Sequence, residues 1–507
     1  MTGIIKSYAH EHGGRVSLLF LLFLLAIYNF IVAGFNTFAI ICIIPLLIVS
    51  AYIAFKWKHS IFWFLIIFNY IIHLLSKHQL ILSGIPLSAY NELLEILLIS
   101  IALIDIRKDH HFGRAMNLMS FSIMLWTLLC IIEVFNNTCG LGINVLGWLT
   151  AARLMAFQLF YFVIIFSIYI DTPQTLLIYI RIWGCLALFS VFWTWKQHYI
   201  GFTAAEQGWL NSAGATTHLV NGITRYWSTF SDAANYGCNA AATSVAFFIL
   251  AISSKLTKDK IFYLIIAVAV LWGMFQSGTR VAMACFFAGL MAYVVLSKSV
   301  KLAIPIILFG LIAFILLAFT NIGQGNNQIR RMRSVFNKND ASAGVREMNQ
   351  ATMAKYLQDA PWGIGIGIGN GDVPARNKYV VMSYIAPDSE YVYIWIHTGR
   401  IGITVFLISI ALMLIGASWI VLFKLKNKSL IGIGAALCSA FAAMQLGAYG
   451  NQVLYQYPNG LIFFGGLAIV YVLPYLEKDW EIYEHKRLAK QEERKRLKLE
   501  KKLASRV

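Results

Sequence analysis

The sequence predicts an all-α, polytopic helical membrane protein with about 14 transmembrane helices and a large outer loop between helices 11 and 12. Three observations carry that prediction. Of 507 residues, 59% are hydrophobic and only 13% are charged. A soluble fold of this length could not hide so much apolar surface behind so few charged residues. Apolar runs of roughly 20 residues recur along the chain, each long enough to cross a hydrocarbon core. Finally, the short connectors "KWKHS" (56–60), "RKDHHFGR" (107–114), "KLTKDK" (255–260), "SKSVK" (297–301) and "KLKNK" (424–428) all fall on one side of the membrane when the helices are counted as below. Lys- and Arg-rich short loops stay in the cytoplasm, so both chain ends are expected there.

The chain opens on a polar stretch, "MTGIIKSYAHEHGGR", and the full-length apolar run after it is expected to be a retained anchor. Seven helices fill 1–197, near 15–34, 36–56, 60–76, 81–105, 115–136, 147–170 and 175–197. Residues 198–234 form a first outer loop. Four helices near 235–254, 261–276, 280–297 and 302–320 fill 235–320, and 321–390 form the large outer loop. Three helices near 391–423, 429–449 and 458–475 fill 391–476. The tail, 477–507, is highly charged with no Pro or Gly, and is expected to be an exposed cytoplasmic helix. It serves as a topology anchor or as a surface for anionic lipid or a cytoplasmic partner.

The net charge of +18 would suggest nucleic acid in a soluble protein; here much of it is topology, and no nucleic-acid partner is expected. Cysteines 42, 130, 139, 185, 238, 285 and 438 lack metal or CxxC spacing and read as small core residues. The outer loops break the charge bias with Arg225, Arg330, Arg331, Arg333, Lys338, Arg346, Lys355, Arg376 and Lys378, which points to an anionic partner at that face.

Within "MFQSGTRVAM", Gly278 permits a tight turn, Ser277 or Thr279 can cap, and Arg280 stands in the first turn of the tenth helix. A helix N-terminus and a planar guanidinium together suit a phosphate. Arg225, in "RYWSTFSDAANYG", precedes the eighth helix and can reach the same cavity. Residues 341–359 carry Val345, Met348, Met353 and Leu357 near helical spacing, which predicts an amphipathic helix on the membrane surface. "WGIGIGIGNG" (362–371) lacks a dinucleotide fingerprint and reads as a flexible or tightly turned backbone element. In "PDSEYVYIWIHTGRIGITVFL" (387–407), Asp388 and Glu390 lie at the outer mouth of the twelfth helix, with His397 two turns further in and Arg400 in a glycine break. Ionisable groups at such depth are functional candidates. Glu92 and Glu95, on one helix face, are expected to pair with Arg153.

Four segments in order, "RYWSTFSDAANYG", "QSGTRVAMACFFAGL", "VREMNQATMAKYLQDAPWGIGIG" and "PDSEYVYIWIHTGRIG", resemble the bacterial O-antigen ligase and polysaccharide polymerase superfamily of integral-membrane glycosyltransferases. The resemblance runs from about 225 to 407. It implies an inner-membrane enzyme whose site faces the periplasm and which needs no metal or other cofactor. The donor would be an undecaprenyl-diphosphate-linked glycan. The acceptor would be another lipid-linked repeat unit (polymerase) or lipid A-core (ligase). Membrane lipids and a chain-length regulator are further expected partners. Arg225 and Arg280 match the family's two arginines for the donor diphosphate, and Arg346 matches the arginine of the large loop; Arg400 is a fourth candidate. The ligase pattern has His where this sequence has Asp388 and Asn where it has Ser389, which resembles the polymerase branch.

The residues themselves suit that chemistry. Fixed guanidinium groups meet the charge that grows on a departing diphosphate. The attacking hydroxyl needs a base, for which Asp388 is the first candidate, His397 the second, and Glu390 a third carboxylate at the mouth. A transporter of lipid-linked glycans is the competing class. It predicts internal repeats and ionisable residues across the membrane depth, whereas here they crowd the outer side.

Overall fold

The computed structural model describes residues 55–504, apart from 82–85, 105–111, 221, 324, 326, 334–340, 370 and 386, together with positions 17, 21, 24, 28, 52 and 53. The helices expected near 15–34 and 36–56, save those few positions, lie outside the described residues, as do most of "RKDHHFGR" and Lys338. Two compact units divide the chain, Met1–Ile61 and Phe62–Val507. The second is described here.

Ten helices among the described residues are long and apolar enough to cross a membrane. The first five are α1 (Lys58–Lys77), α2 (Leu87–Ile104), α3 (Leu118–Phe135), α4 (Val145–Tyr169) and α5 (Pro173–Tyr199). A short α6 (Ala204–Asn211) precedes α7 (Ala233–Ser253) and α8 (Thr257–Gln276). Two apolar helices follow, α9 (Arg280–Leu296) and α10 (Val300–Phe319), where the tenth and eleventh were expected. The large loop carries α11 (Asn327–Arg333) and α12 (Ala341–Leu357). Then come α13 (Glu390–Lys424), α14 (Lys428–Gly450) and α15 (Gly465–Ala504), the last reached through a π-helical turn, Gly460–Phe464. The fold is all-α, and an integral membrane protein is what these spans make.

Composition sorts the helices between centre and rim. α7 and α14 are buried over 83% and 78% of their spanning windows, whereas α1 and α2 are buried over 33%. The central pair is rich in Ala, Gly and Ser, which let backbones approach closely where lipid offers no hydrophobic drive. A Cβ at Gly447 of α14 would already stand 3.1 Å from the Cys285 sulfur of α9 and 3.3 Å from that of Cys238 in α7. By contrast, α10 exposes Ile304, Ile307, Leu308, Leu311, Ile312 and Ile315 and presents them to lipid.

Local chemistry sets the helix ends. Asp232 caps α7, its carboxylate accepting from the N–H groups of Ala234 and Asn235 at 2.8 and 2.9 Å. Thr172 and Thr175 form a reciprocal capping box ahead of α5, with Pro173 at the first helical position.

Two expectations change. The tail is helical and mostly exposed past Arg487, as expected, but it continues α15 rather than starting afresh, and its first turns dock on the bundle. Glu484 takes an ion pair from Lys255 at 2.9 Å and a hydrogen bond from Ser429, and Arg487 reaches Asp259 at 2.8 Å. With no Pro or Gly after Pro474, nothing interrupts the helix. The second change concerns α12. Met353 and Leu357 pack with Ala360, Ile364, Tyr379, Met382 and Ile396, while Val345 and Met348 are exposed. The large loop supplies enough apolar side chains for a core of its own, so the buried stripe of α12 faces that core.

Candidate functional site

The segment between α5 and α7 is held by a buried carboxylate. Glu206 accepts from the Lys196 ammonium at 2.8 Å, the Trp193 indole at 2.8 Å, the Gln197 amide at 2.7 Å and the Thr203 N–H at 2.8 Å. Burial would raise its pKa, but these four donors outweigh it and hold it at about 2. Trp227 stacks on Phe202 with ring centres 5.0 Å apart, and the Lys77 ammonium sits 3.9 Å from the Trp209 ring centre. Lys77 also donates to the carbonyls of Phe230 and Ser231, both at 2.9 Å. The run "RYWSTFSD" is therefore fixed at both ends, at a two-residue hairpin pairing Leu219 with Thr224 and at the Asp232 cap.

That frame aims Arg225 at the turn before α9. One terminal nitrogen of its guanidinium donates to the Thr217 carbonyl at 2.8 Å and the other to the Thr279 hydroxyl at 3.0 Å. The same hydroxyl donates to the Ala233 carbonyl at 2.8 Å, tying the start of α9 to the start of α7. From the large loop, Arg331 donates through Nε to the Gly278 carbonyl at 2.7 Å. Gly278 has φ of +56°, the left-handed region that a tight turn needs. Arg225, Arg280 and Arg331 thus surround one four-residue turn. Burial pushes the Arg225 guanidinium down to about 10; the Arg331 charge adds to this, Asp232 opposes it, and Arg280 contributes in the same direction as Arg331. Arg225 stays charged at neutral pH. Asp232 is kept below the usual carboxylate range: burial would raise it, but the Asn235 N–H and the Ser231 hydroxyl prevail.

The turn corrects one expectation. Neither Ser277 nor Thr279 caps α9. The Ser277 hydroxyl donates to the Met274 carbonyl at 2.7 Å, and that of Thr279 is taken by Ala233 and Arg225. The Ser277 hydroxyl closes the end of α8, and only the Thr279 hydroxyl serves tertiary contacts.

One residue past Arg280, Val281 lines a cleft of about 420 Å³. Across it stand Arg346, Asn349 and Gln350 of α12, with Asp388 and Ser389 before α13. The Arg346 Nε donates to the Asp388 carboxylate at 3.1 Å, and half of the Asp388 side chain remains exposed. Two residues far apart in sequence are thereby paired over the cleft.

The other candidates lie elsewhere. Glu390 does not stand open at the mouth: it is buried and accepts from the Leu454 N–H at 3.0 Å, bracing the loop before α15. His397 is buried, with Nδ1 2.8 Å from the Tyr393 carbonyl and Nε2 3.2 Å from the Ile368 carbonyl. Both nitrogens face acceptors, an arrangement that positions the glycine-rich segment and leaves no nitrogen facing the cleft. Arg400 is exposed and, among the described residues, makes no ion pair. The glycine-rich segment is tightly turned rather than loose. Gly363, Gly365 and Gly367 have φ of +74°, +106° and +85°. The N–H groups of Ile364 and Gly365 donate to the carbonyls of Ile396 and His397 at 2.9 and 3.0 Å, where Gly399, at φ +62°, breaks α13. Away from these groups, Glu92 pairs with Arg153 at 3.0 Å, and Glu95 is buried and takes a hydrogen bond from Asn91. Among the described residues no three His, Cys, Asp or Glu side chains converge as a metal site would need.

In the sequence, Arg331 is one of several loop charges. The usable signal was "QIRRMR", a basic run with an apolar residue inside it, which forms α11 and turns one arginine toward Gly278.

Residues 265–407 match the family model described as O-antigen ligase, which supports the O-antigen ligase and polymerase superfamily. The match runs from α8 into α13, so it holds Arg280, Arg331, Arg346 and Asp388 and leaves Arg225 outside. Proteins of that family are glycosyltransferase-like enzymes of O-antigen and polysaccharide synthesis. No curated protein sequence matches the chain.

Proposed function

We propose that this protein is a glycosyltransferase that moves a glycan from an undecaprenyl-diphosphate donor onto another lipid-linked repeat unit, at the periplasmic face of a bacterial inner membrane. The convergence of Arg225, Arg280 and Arg331 on the turn before α9, one residue from a polar cleft, carries this reading. The family match supports O-antigen ligase or polymerase activity, and the finer choice rests on the residues.

In the proposed reaction the acceptor hydroxyl attacks the anomeric carbon. The new glycosidic C–O bond forms as the bond from that carbon to the diphosphate oxygen breaks. Negative charge grows on the departing diphosphate, and guanidinium groups already fixed by Thr217, Thr279 and Gly278 meet it without reorganising. Asp388 takes the hydroxyl proton, with Arg346 orienting its carboxylate from 3.1 Å. The cleft, lined by the amides of Asn349 and Gln350, the carboxylates of Glu347 and Asp388, and Tyr449, suits the hydroxyl groups of a sugar acceptor. Asp388, at the position where the ligase pattern has His, favours the polymerase over the ligase.

The deciding experiment incubates purified protein with a lipid-diphosphate-linked oligosaccharide in chelator and reads the products by mass. Doubled and tripled repeat units, lost in Arg280→Ala, are expected. Transfer that begins only when lipid A-core is added would make the enzyme a ligase. Failure with both acceptors would overturn the transferase reading and turn attention to transport in proteoliposomes.

A further inference from the structure

At the end of α8 opposite the arginine turn, a second concavity of about 690 Å³ lies between α5, α8 and the helical tail. Six cations line it: Arg181, Lys258, Arg487, Lys490, Arg494 and Lys495. The one carboxylate there, Asp259, is already held by Arg487 at 2.8 Å and Arg181 at 3.7 Å. Among the described residues, Lys258, Lys490, Arg494 and Lys495 make no ion pair. The tail cations are not scattered. Positions 487, 490, 494 and 495 fall at helical spacing and share one face of α15, turned to the groove by the Arg487–Asp259 and Lys255–Glu484 ion pairs.

The groove also has an apolar part. Cys185, Leu256 and Phe262 form part of its wall. Directly along α8 from Phe262, the side chains of Ile261, Leu264, Ile265 and Val268 are exposed on the spanning surface. A basic pocket that opens onto a lipid-facing apolar strip has the chemistry of a phosphate joined to acyl chains. A free phosphate would use the cations and leave the strip unused.

We infer that this groove binds the headgroup of an anionic phospholipid, with the acyl chains lying along the exposed face of α8. This stands independently of the proposed transfer reaction. Juxtamembrane Lys and Arg gather anionic headgroups by charge, and a shaped pocket adds position to that attraction.

The test is native mass spectrometry of the full chain in detergent, titrated with phosphatidylglycerol, with phosphatidylethanolamine, or with phosphatidylglycerol in the presence of inorganic phosphate. Wild type is expected to retain phosphatidylglycerol and not phosphatidylethanolamine, with phosphate failing to displace it. Lys490→Gln/Arg494→Gln should weaken retention by at least about tenfold. Lys486→Gln/Arg496→Gln, which removes equal charge from exposed tail positions outside the groove, should leave it unchanged. Equal loss in both pairs would reduce the effect to net charge and overturn the site, as would undiminished binding by the groove pair. Equal binding of phosphatidylethanolamine, or displacement by phosphate, would overturn the lipid assignment.

Discussion

Arg225 and Arg346 both lie between spanning helices, and the molecule treats them oppositely. Arg225 is held by a carbonyl and a hydroxyl, neutral acceptors, and its charged neighbours include two more arginines. The nearest carboxylate, Asp232, is committed to capping α7. Arg346 instead faces Asp388 directly, and that pair borders the cleft. One side of the proposed site therefore keeps an excess of positive charge, while the other, where Arg346 faces Asp388 beside Glu347, is polar and has no cationic excess. An anion belongs on the first side and a neutral polyol on the second. The price of the first arrangement is mutual repulsion among arginines, which the Trp227, Lys77 and Glu206 scaffold has to absorb.

Breaking the positive side should have the largest effect. Arg280→Ala is expected to reduce transfer by about 100-fold or more, the usual cost of losing a fixed group that meets transition-state charge. Arg280→Lys should recover part of it, and normal activity in the alanine variant would end the phosphate-clamp reading. On the polar side, Asp388→Asn should cost about 100-fold in turnover, as loss of a general base does. His397→Ala should cost less turnover once the folded fraction is matched by size-exclusion chromatography. The reverse ranking would move the base to His397. Arg331→Ala is expected to give about a tenfold loss, carried mainly in donor KM, because Arg331 shares the anion with two others. An unchanged donor KM would reduce Arg331 to a structural contact with Gly278.

The smallest effect concerns pH. His218 is buried and accepts the Ala233 N–H at 3.0 Å through Nε2. Burial, with help from Arg225, lowers its pKa from 6.5 to about 4. The folded loop therefore refuses a proton that the unfolded chain accepts. Loop stability is complete above about pH 6.5 and falls progressively as pH drops toward 4, by up to about 3 kcal/mol. Hydrogen exchange over residues 219–232 should accelerate across that window, and His218→Gln should flatten the dependence. An unchanged profile in the variant would place the acid response elsewhere.

The spans were legible because apolar length and connector charge are local properties, so α5, α7, α8, α13 and α14 lie close to where the pattern put them. Arg225, Arg280, Arg346 and Asp388 were legible as types in suggestive places. Their grouping was not, since it depends on long-range contacts such as Arg346 with Asp388, 42 residues apart, and Arg225 with Thr279, 54 apart. Glu390, expected at the outer mouth, and His397, expected two turns further in, show the same dependence on distant partners: each is turned onto backbone groups supplied by another segment. Arg331 was hidden among neighbours of the same charge, and its bond to the Gly278 carbonyl is a long-range contact.

The unbroken α15 has a consequence of phase. An α-helix turns about 100° per residue, so a stiff rod fixes the compass bearing of every side chain along it. Inserting one alanine after Ala489 would leave net charge untouched and remove no side chain. It would swing Lys490, Arg494 and Lys495 by about 100° out of register with Arg487. A flexible tail would absorb that insertion unnoticed. This one should lose phosphatidylglycerol as the double glutamine variant does, while four inserted residues, just over one full turn, should largely restore the bearing.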